Sequence, residues 1–205
     1  MKSNTAFTGA SSFDRSMRAV LKKCDEVVLF GSRSSTLHRS DSDWDVLCVA
    51  KRPPAILDRV PRPRLRLKLG LIHLDLIWIS TDALTSATWL GSELASHVAT
   101  YGRWLMGSGD WRTRTAISSL AVAAKQRRVE VRISFQRQYG SGLLAPYLAK
   151  HLTLLRRDIQ RLYCLENRIP VPTTPHIDAE WCESRDREGI LRFARSLGVD
   201  LEGLQ

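Results

Sequence analysis

Asp43 and Asp45 stand one residue apart at the head of an apolar run, Ser42-Asp43-Trp44-Asp45-Val46-Leu47-Cys48-Val49. Residues i and i+2 of a strand face the same side, so these two carboxylates lie about 7 Å apart at ~3.3 Å rise per residue. Carboxylates that close repel unless a cation neutralises them, and a divalent ion held by oxygen ligands is the natural one. A third acid, Asp75, is the only acid of another apolar run, Ile72 to Ile79. A lone carboxylate inside an apolar strand is costly unless compensated. If the two strands are neighbours, three carboxylates converge. That set can hold two metal ions, which activate an attacking oxygen and stabilise a departing phosphate oxygen. Gly31 and Ser32 close an earlier run, Val27-Val28-Leu29-Phe30. Glycine lets the backbone approach a ligand closely. Ser32 offers a hydroxyl and an N–H to an anionic oxygen, and Arg33 adds charge.

These residues need elements to carry them. Residues 26–30 and 43–50 have the apolar, branched composition of strands. Residues 64–69, Gly70 and 72–79 have the pattern of a hairpin that ends in the strand of Asp75, and Pro53, Pro54, Pro61 and Pro63 punctuate the loop before it. A helix is expected over residues 13–23, with Ser11 and Ser12 as possible caps. Thr81 or Asp82 can cap a short helix, residues 92–100 a longer one, and residues 101–106 form the last strand. Gly107-Ser108-Gly109-Asp110 is the best domain boundary, dividing the chain into residues 1–109 and 110–205.

Beyond that boundary the pattern is helical. Leu148, Leu152, Leu155, Ile159 and Leu162 recur at spacings of four, three, four and three, one face of an amphipathic helix and the core of a bundle. Arg157 and Arg161 lie off that stripe, and Lys125, Arg128 and Arg132 share a face of the helix upstream. Both sets are expected on solvated surfaces, where helices normally put charge. Gly140-Ser141-Gly142 separates the two helices, Pro170, Pro172 and Pro175 end the long one, and a last helix over 188–197 stops at Gly198.

The chain has 205 residues, 43% of them hydrophobic, enough for one large domain or two small ones. No apolar run reaches the roughly 18–20 residues that span a bilayer. Residues 1–12 carry no apolar stretch of signal type, so a cytoplasmic protein with no membrane partner is expected. The four cysteines are scattered, without a Cys-x-x-Cys pair, which argues against zinc and a disulfide framework; Cys48 is expected as a core filler. The net charge of +10 invites an anionic partner, most simply nucleic acid. Residues 51–68 hold seven bases and one acid, and Arg64-Leu65-Arg66-Leu67-Lys68-Leu69 alternates as a half-buried strand does. Arg62, Arg64, Arg66 and Lys68 are therefore candidate nucleic-acid contacts, although cations also protect an edge strand from pairing. His73 is expected as a hydrogen-bonded structural histidine and Trp44 as a core residue; no Ser/His/Asp or Cys/His constellation and no P-loop pattern is present.

Gly31-Ser32-Arg33, a loop, then Ser42-Asp43-Trp44-Asp45 and a later strand acid resemble the signature of the DNA polymerase β-like nucleotidyltransferase superfamily. Within it the chain is most similar to the small bacterial members, the minimal and kanamycin-type nucleotidyltransferases. Ser34, Ser35 and Thr36 stand where that pattern usually has Ala, Arg and Gly, and residues 101–107 are similar to a late strand of the subfamily. The resemblance covers roughly the first half of the chain. It implies an α/β fold: a polymerase β-like mixed-sheet domain followed by an α-helical bundle domain. It implies two Mg²⁺ or Mn²⁺ ions, with Asp43 and Asp45 holding both ions and a nucleoside triphosphate. Asp75 would hold the catalytic ion and help activate the acceptor, while Gly31, Ser32 and Arg33 would grip the terminal phosphates. The expected reaction moves a nucleoside monophosphate from an NTP or dNTP to a hydroxyl. The acceptor is expected to be nucleic acid or a growing oligonucleotide, as in some bacterial defence relatives. The alternative is a toxin–antitoxin enzyme that nucleotidylates a partner protein encoded nearby. Modification of a cationic drug fits the excess of bases poorly, and the complete acid set disfavours a non-catalytic regulator.

Overall fold

The computed structural model describes residues 21–34, 42–52, 64–69, 72–179 and 186–202. Most of the helix expected over 13–23 lies outside these residues, as do His38 and Arg62. The chain divides into two compact units, Met1–Ser86 with Gly102–Trp111, and Ala87–Tyr101 with Arg112–Gln205.

The first unit is built on a five-stranded mixed sheet: β1 (Glu26–Phe30), β2 (Trp44–Ala50), β3 (Arg64–Leu69), β4 (Ile72–Ser80) and β5 (Arg103–Met106), in the order β3-β4-β2-β1-β5. β1 runs antiparallel to β2 and β5, β3 antiparallel to β4, and β2 parallel to β4. The mixed α/β architecture is the one expected. Central strands covered on both faces lose polar alternation. Accordingly Val27 and Cys48 on one face and Val28 and Leu47 on the other are all at most 1% exposed. Full burial of such side chains contributes about 1.5–3 kcal/mol each. One face packs Val27, Leu29, Val46, Cys48, Leu74 and Leu76 together, with Trp44 and Trp78 at its margin.

Cys48 fills this core as expected, and its thiol hydrogen-bonds that of Cys24; the bond and burial push the Cys48 thiol far above its ordinary range. At the opposite edge Glu26 accepts from the indole N–H of Trp104 (3.2 Å) and of Trp111 (3.1 Å), tying the segment after β5 to the start of β1. The last strand begins at Arg103 rather than at residue 101, because the preceding helix continues through Tyr101.

The second unit is helical: α1 (Ala87–Leu90), α2 (Glu93–Tyr101), α3 (Ser119–Tyr139), α4 (Ala145–Glu166), α5 (Thr174–Ala179) and α6 (Arg187–Ser196). Ser118 caps α3, its hydroxyl accepting from the Ala121 N–H. Gly198, at φ 73°, takes the left-handed conformation that ends α6. Leu155, Ile159 and Leu162 of the predicted stripe are buried with Val129, Ile133, Ile190, Leu191 and Ala194.

The long helix ends at Glu166, ahead of the prolines as expected, and two further points emerge here. Pro175 does not only stop the chain: it sits second in α5, where a first-turn proline has no bond to lose. And the off-stripe cations other than Arg128, which is exposed as expected, are not solvated. Arg157 and Arg156 both bind Asp178, and Arg161 donates to Thr174 (2.7 Å), so they hold α5 against α4. Lys125 is 4% exposed, between Glu93 (2.9 Å) and Asp158 (3.4 Å), and Asp158 also accepts from Arg132 (2.6 Å). Carboxylates from distant helices meet these cations, and helical periodicity carries no trace of such partners.

Candidate active site

The acids expected to act lie on the sheet face away from the Leu74–Cys48 core. β2 and β4 pair so that Asp45 stands directly opposite Asp75. Neighbouring strands lie about 4.8 Å apart and register partners share a face, so these carboxylates are side by side. Asp75 is buried at 3% exposure, whereas Asp45 is half-buried. On the other side of β2, Asp45 pairs with Phe30, the last residue of β1. The chain then turns through a short 3-10 segment, Gly31–Ser34. The turn and the two acids therefore share one end of the sheet.

Gly31 is where sequence and site meet most closely. Its φ is 69°, a conformation that side-chain-bearing residues rarely adopt, and a Cβ there would overlap the Asp45 carboxylate. The glycine thus lets the carboxylate sit on the turn. Gly31→Ala is expected to cost about 1–3 kcal/mol through backbone strain and to displace Asp45 as well. Urea unfolding together with the transfer assay given below checks both effects.

The third carboxylate stands apart. Asp43 precedes β2 and is 54% exposed, and its Oδ1 lies 3.4 Å from His73 Nδ1. His73 is two residues before Asp75 and on its face; it is 53% exposed rather than a buried structural histidine, with Asp43 as its neighbour. Among the described residues no group of three or more His, Cys, Asp and Glu side chains is drawn up to hold a metal ion. The structure thus brings Asp45 and Asp75 together and leaves Asp43 with His73. The donors are nonetheless all oxygen, the set that hard divalent cations take. Two of them occupy facing positions, and Asp43 is surface-exposed at the same edge.

Arg33 has a structural post of its own. Its Nε donates to the Ser42 carbonyl (2.7 Å) and its guanidinium lies over the Trp44 ring, 4.5 Å from the centroid. It ties the turn after β1 to the entry of β2, and so fixes the spacing between Gly31-Ser32 and Asp43-Asp45. Trp44 packs at the margin of the core, as expected, and is the platform for this contact. The sequence signal for this role is an arginine and an aromatic flanking the two halves of one motif. β3 is an edge strand, and its register sets Arg66 opposite Asp75, Lys68 opposite His73 and Arg64 opposite Ile77.

The fold and site define a mixed-sheet α/β unit with paired acids beside a Gly-Ser turn. No protein-family model and no curated protein matches the chain. Among solved structures it is similar to a nucleotidyltransferase-like protein from Exiguobacterium sibiricum 255-15, with 15% identity, 95% of this chain and 68% of that one covered, and a TM-score of 0.41. It is also similar to a toxin–antitoxin with AMP-PNP (20% identity, 65% of this chain and 98% of that one, TM-score 0.32). A mutant of the toxin–antitoxin MntA-HpeT is a third (15% identity, 67% and 100%, TM-score 0.31). At these values the likeness is partial, and the chemistry rests on the side chains of this chain.

Proposed function

We propose that this protein is a nucleotidyltransferase that moves a nucleoside monophosphate from a nucleoside triphosphate to a hydroxyl, with nucleic acid or a growing oligonucleotide as acceptor. The observation that carries the reading is the facing pair Asp45 and Asp75, with the Asp45 carboxylate seated on Gly31 of the Gly31-Ser32 turn. Two carboxylates side by side at a sheet end repel each other, and a divalent cation between them would offset that repulsion.

Mg²⁺ or Mn²⁺ would be held by Asp45 and Asp75, with Asp43 joining them after it leaves His73. The ions supply charge neutralisation of the triphosphate. The chain's own residues do the rest. Ser32 offers its hydroxyl and N–H to the terminal phosphate oxygens, and Arg33 holds that turn in place. The acceptor oxygen attacks the α-phosphorus, the bond to the β-phosphate oxygen breaks, and pyrophosphate leaves with the electron pair. Asp75 receives the acceptor's proton. Transfer of this kind depends mainly on positioning and electrostatics, which suits a site built on paired strands. The sheet unit, Met1–Ser86 with Gly102–Trp111, is assigned the chemistry and the other unit a helical supporting role, so that residues 87–101 go with the helices rather than with the 1–109 segment expected from the sequence.

The test is incubation with each α-labelled triphosphate and Mg²⁺ or Mn²⁺, alone and with RNA, DNA or a cell lysate. Label is expected on the polynucleotide, with pyrophosphate released. Label on a protein instead would move the acceptor to a partner polypeptide. No pyrophosphate from any combination would end the reading. No helix among the described residues is long and apolar enough to cross a membrane.

A further inference from the structure

We propose that the exposed end of the α3–α4 hairpin is a docking surface for single-stranded nucleic acid, with Phe135, Tyr139 and Tyr147 as stacking platforms and Arg128 and Lys150 as phosphate contacts. Residues 125, 129 and 133 turn one face of α3 into the bundle, and all three are buried. Arg128, Phe135 and Tyr139 recur at spacings of seven and four on another face, which the fold leaves open. Phe135 is 38% exposed and Tyr139 50%, with ring centroids 5.2 Å apart. Phe135 also meets His151 of α4, at 4.9 Å between centroids. Tyr147, one turn before His151, is 65% exposed, and Lys150 is exposed beside it. Large exposed aromatics grouped this way are unusual on a surface with no partner.

Charge selects the occupant. Residues 126–151 hold five bases and one acid; Arg132 is taken up by Asp158, which leaves Arg127, Arg128, Arg137 and Lys150, all exposed, against that acid. That acid, Glu130, accepts from Gln126 (3.1 Å). A second copy of this chain docked here would set like charges against each other. A single strand brings phosphates for the cations and base faces for the rings, the pairing that such binders use. The proposal rests on the reading of a polynucleotide acceptor and adds the surface that would hold it.

Fluorescence anisotropy of the full chain with a labelled single-stranded RNA oligonucleotide, and with the DNA of the same sequence, tests it without metal or triphosphate. Each of Phe135→Ala, Tyr139→Ala and Tyr147→Ala is expected to weaken binding about tenfold. The double variant Arg128→Gln/Lys150→Gln is expected to lower the slope of log K against log salt by about 1.4, or ~0.7 per phosphate contact. All five side chains are at least partly exposed, and circular dichroism melts check that the variants fold. Wild-type affinity in the aromatic variants would overturn the proposal, leaving only the general pull of a +10 chain. So would failure of the wild type to bind at low salt, displacement by anionic-lipid vesicles, or sedimentation showing that these substitutions break up a dimer. Because no triphosphate is present, binding without later extension would sink the transfer chemistry and support the surface. Extension with binding indifferent to the three rings would sink the surface alone.

Discussion

Asp45→Asn is expected to yield a folded protein that carries out the proposed nucleotide transfer at least about a thousandfold more slowly. The substitution keeps side-chain volume, so the half-buried position between Phe30 and Asp75 stays filled. What it removes is one of the two charges that the proposed cation would reconcile. Charge stabilisation by a bound metal is worth several kcal/mol in the transition state, and about 4 kcal/mol corresponds to three orders of magnitude in rate. Without metal, the melting temperatures of the two proteins give the baseline. Added Mg²⁺ should then separate the two proteins. A ligand at a hundred times its Kd stabilises the state that binds it by about 2.7 kcal/mol. The wild type is expected to show a concentration-dependent rise in melting temperature and the variant almost none. Asp75→Asn should behave alike. Transfer rates combined with melts across an Mg²⁺ series make the measurement. Equal Mg²⁺ stabilisation of both proteins, or near wild-type transfer by the variant, would mean that this pair does not hold the ion.

The parts of this arrangement that depend on nearest neighbours along the chain are legible in the amino-acid sequence. Apolar composition makes strands of residues 26–30 and 72–79, and the leucine stripe of α4 predicts its buried face; strand period would also set Asp43 beside Asp45, but β2 begins only at Trp44 and Asp43 lies beside His73 instead. The key pairing of Asp45 with Asp75 is not local. It needs β2 parallel to β4 with no slip, since one residue of shift would turn Asp75 to the other face. Turn geometry is legible only in part: Gly31 announces close approach, but that it makes room for the Asp45 carboxylate depends on a partner across the sheet. Arg33 is legible as a cation and not as a brace, because its Ser42 carbonyl and Trp44 ring lie nine and eleven residues on. The same limit hides the buried ions of the second unit. A lysine three or four residues from an arginine looks solvated until a carboxylate arrives from elsewhere in the chain.

Lys125 is the strongest such case, and it leads to the largest expected loss of stability. Asp158→Ala is expected to destabilise the protein by about 3–5 kcal/mol, the usual cost of stranding a buried partner. The Asp158 side chain is only 5% exposed and serves two cations, Lys125 at 3.4 Å and Arg132 at 2.6 Å. Its removal leaves the Lys125 ammonium, 4% exposed, with Glu93 alone, and takes the carboxylate from Arg132. Both partners lie on α3, while Asp158 lies on α4 beside the buried Ile159. The penalty therefore falls on the packing of these two helices. Arg195→Ala makes the control. Its partner Glu202 is similarly exposed, at 50% against 56%, and such pairs contribute under about 1 kcal/mol. Urea unfolding of both variants decides the matter. Equal, small losses would show that water reaches Lys125 and that the network is ornamental. A large loss for Asp158→Ala that is recovered in Lys125→Met/Asp158→Leu would show something sharper. It would mean that the ions hold α3 and α4 in one register at no net gain over apolar contacts, so that their contribution is to the specificity of the fold.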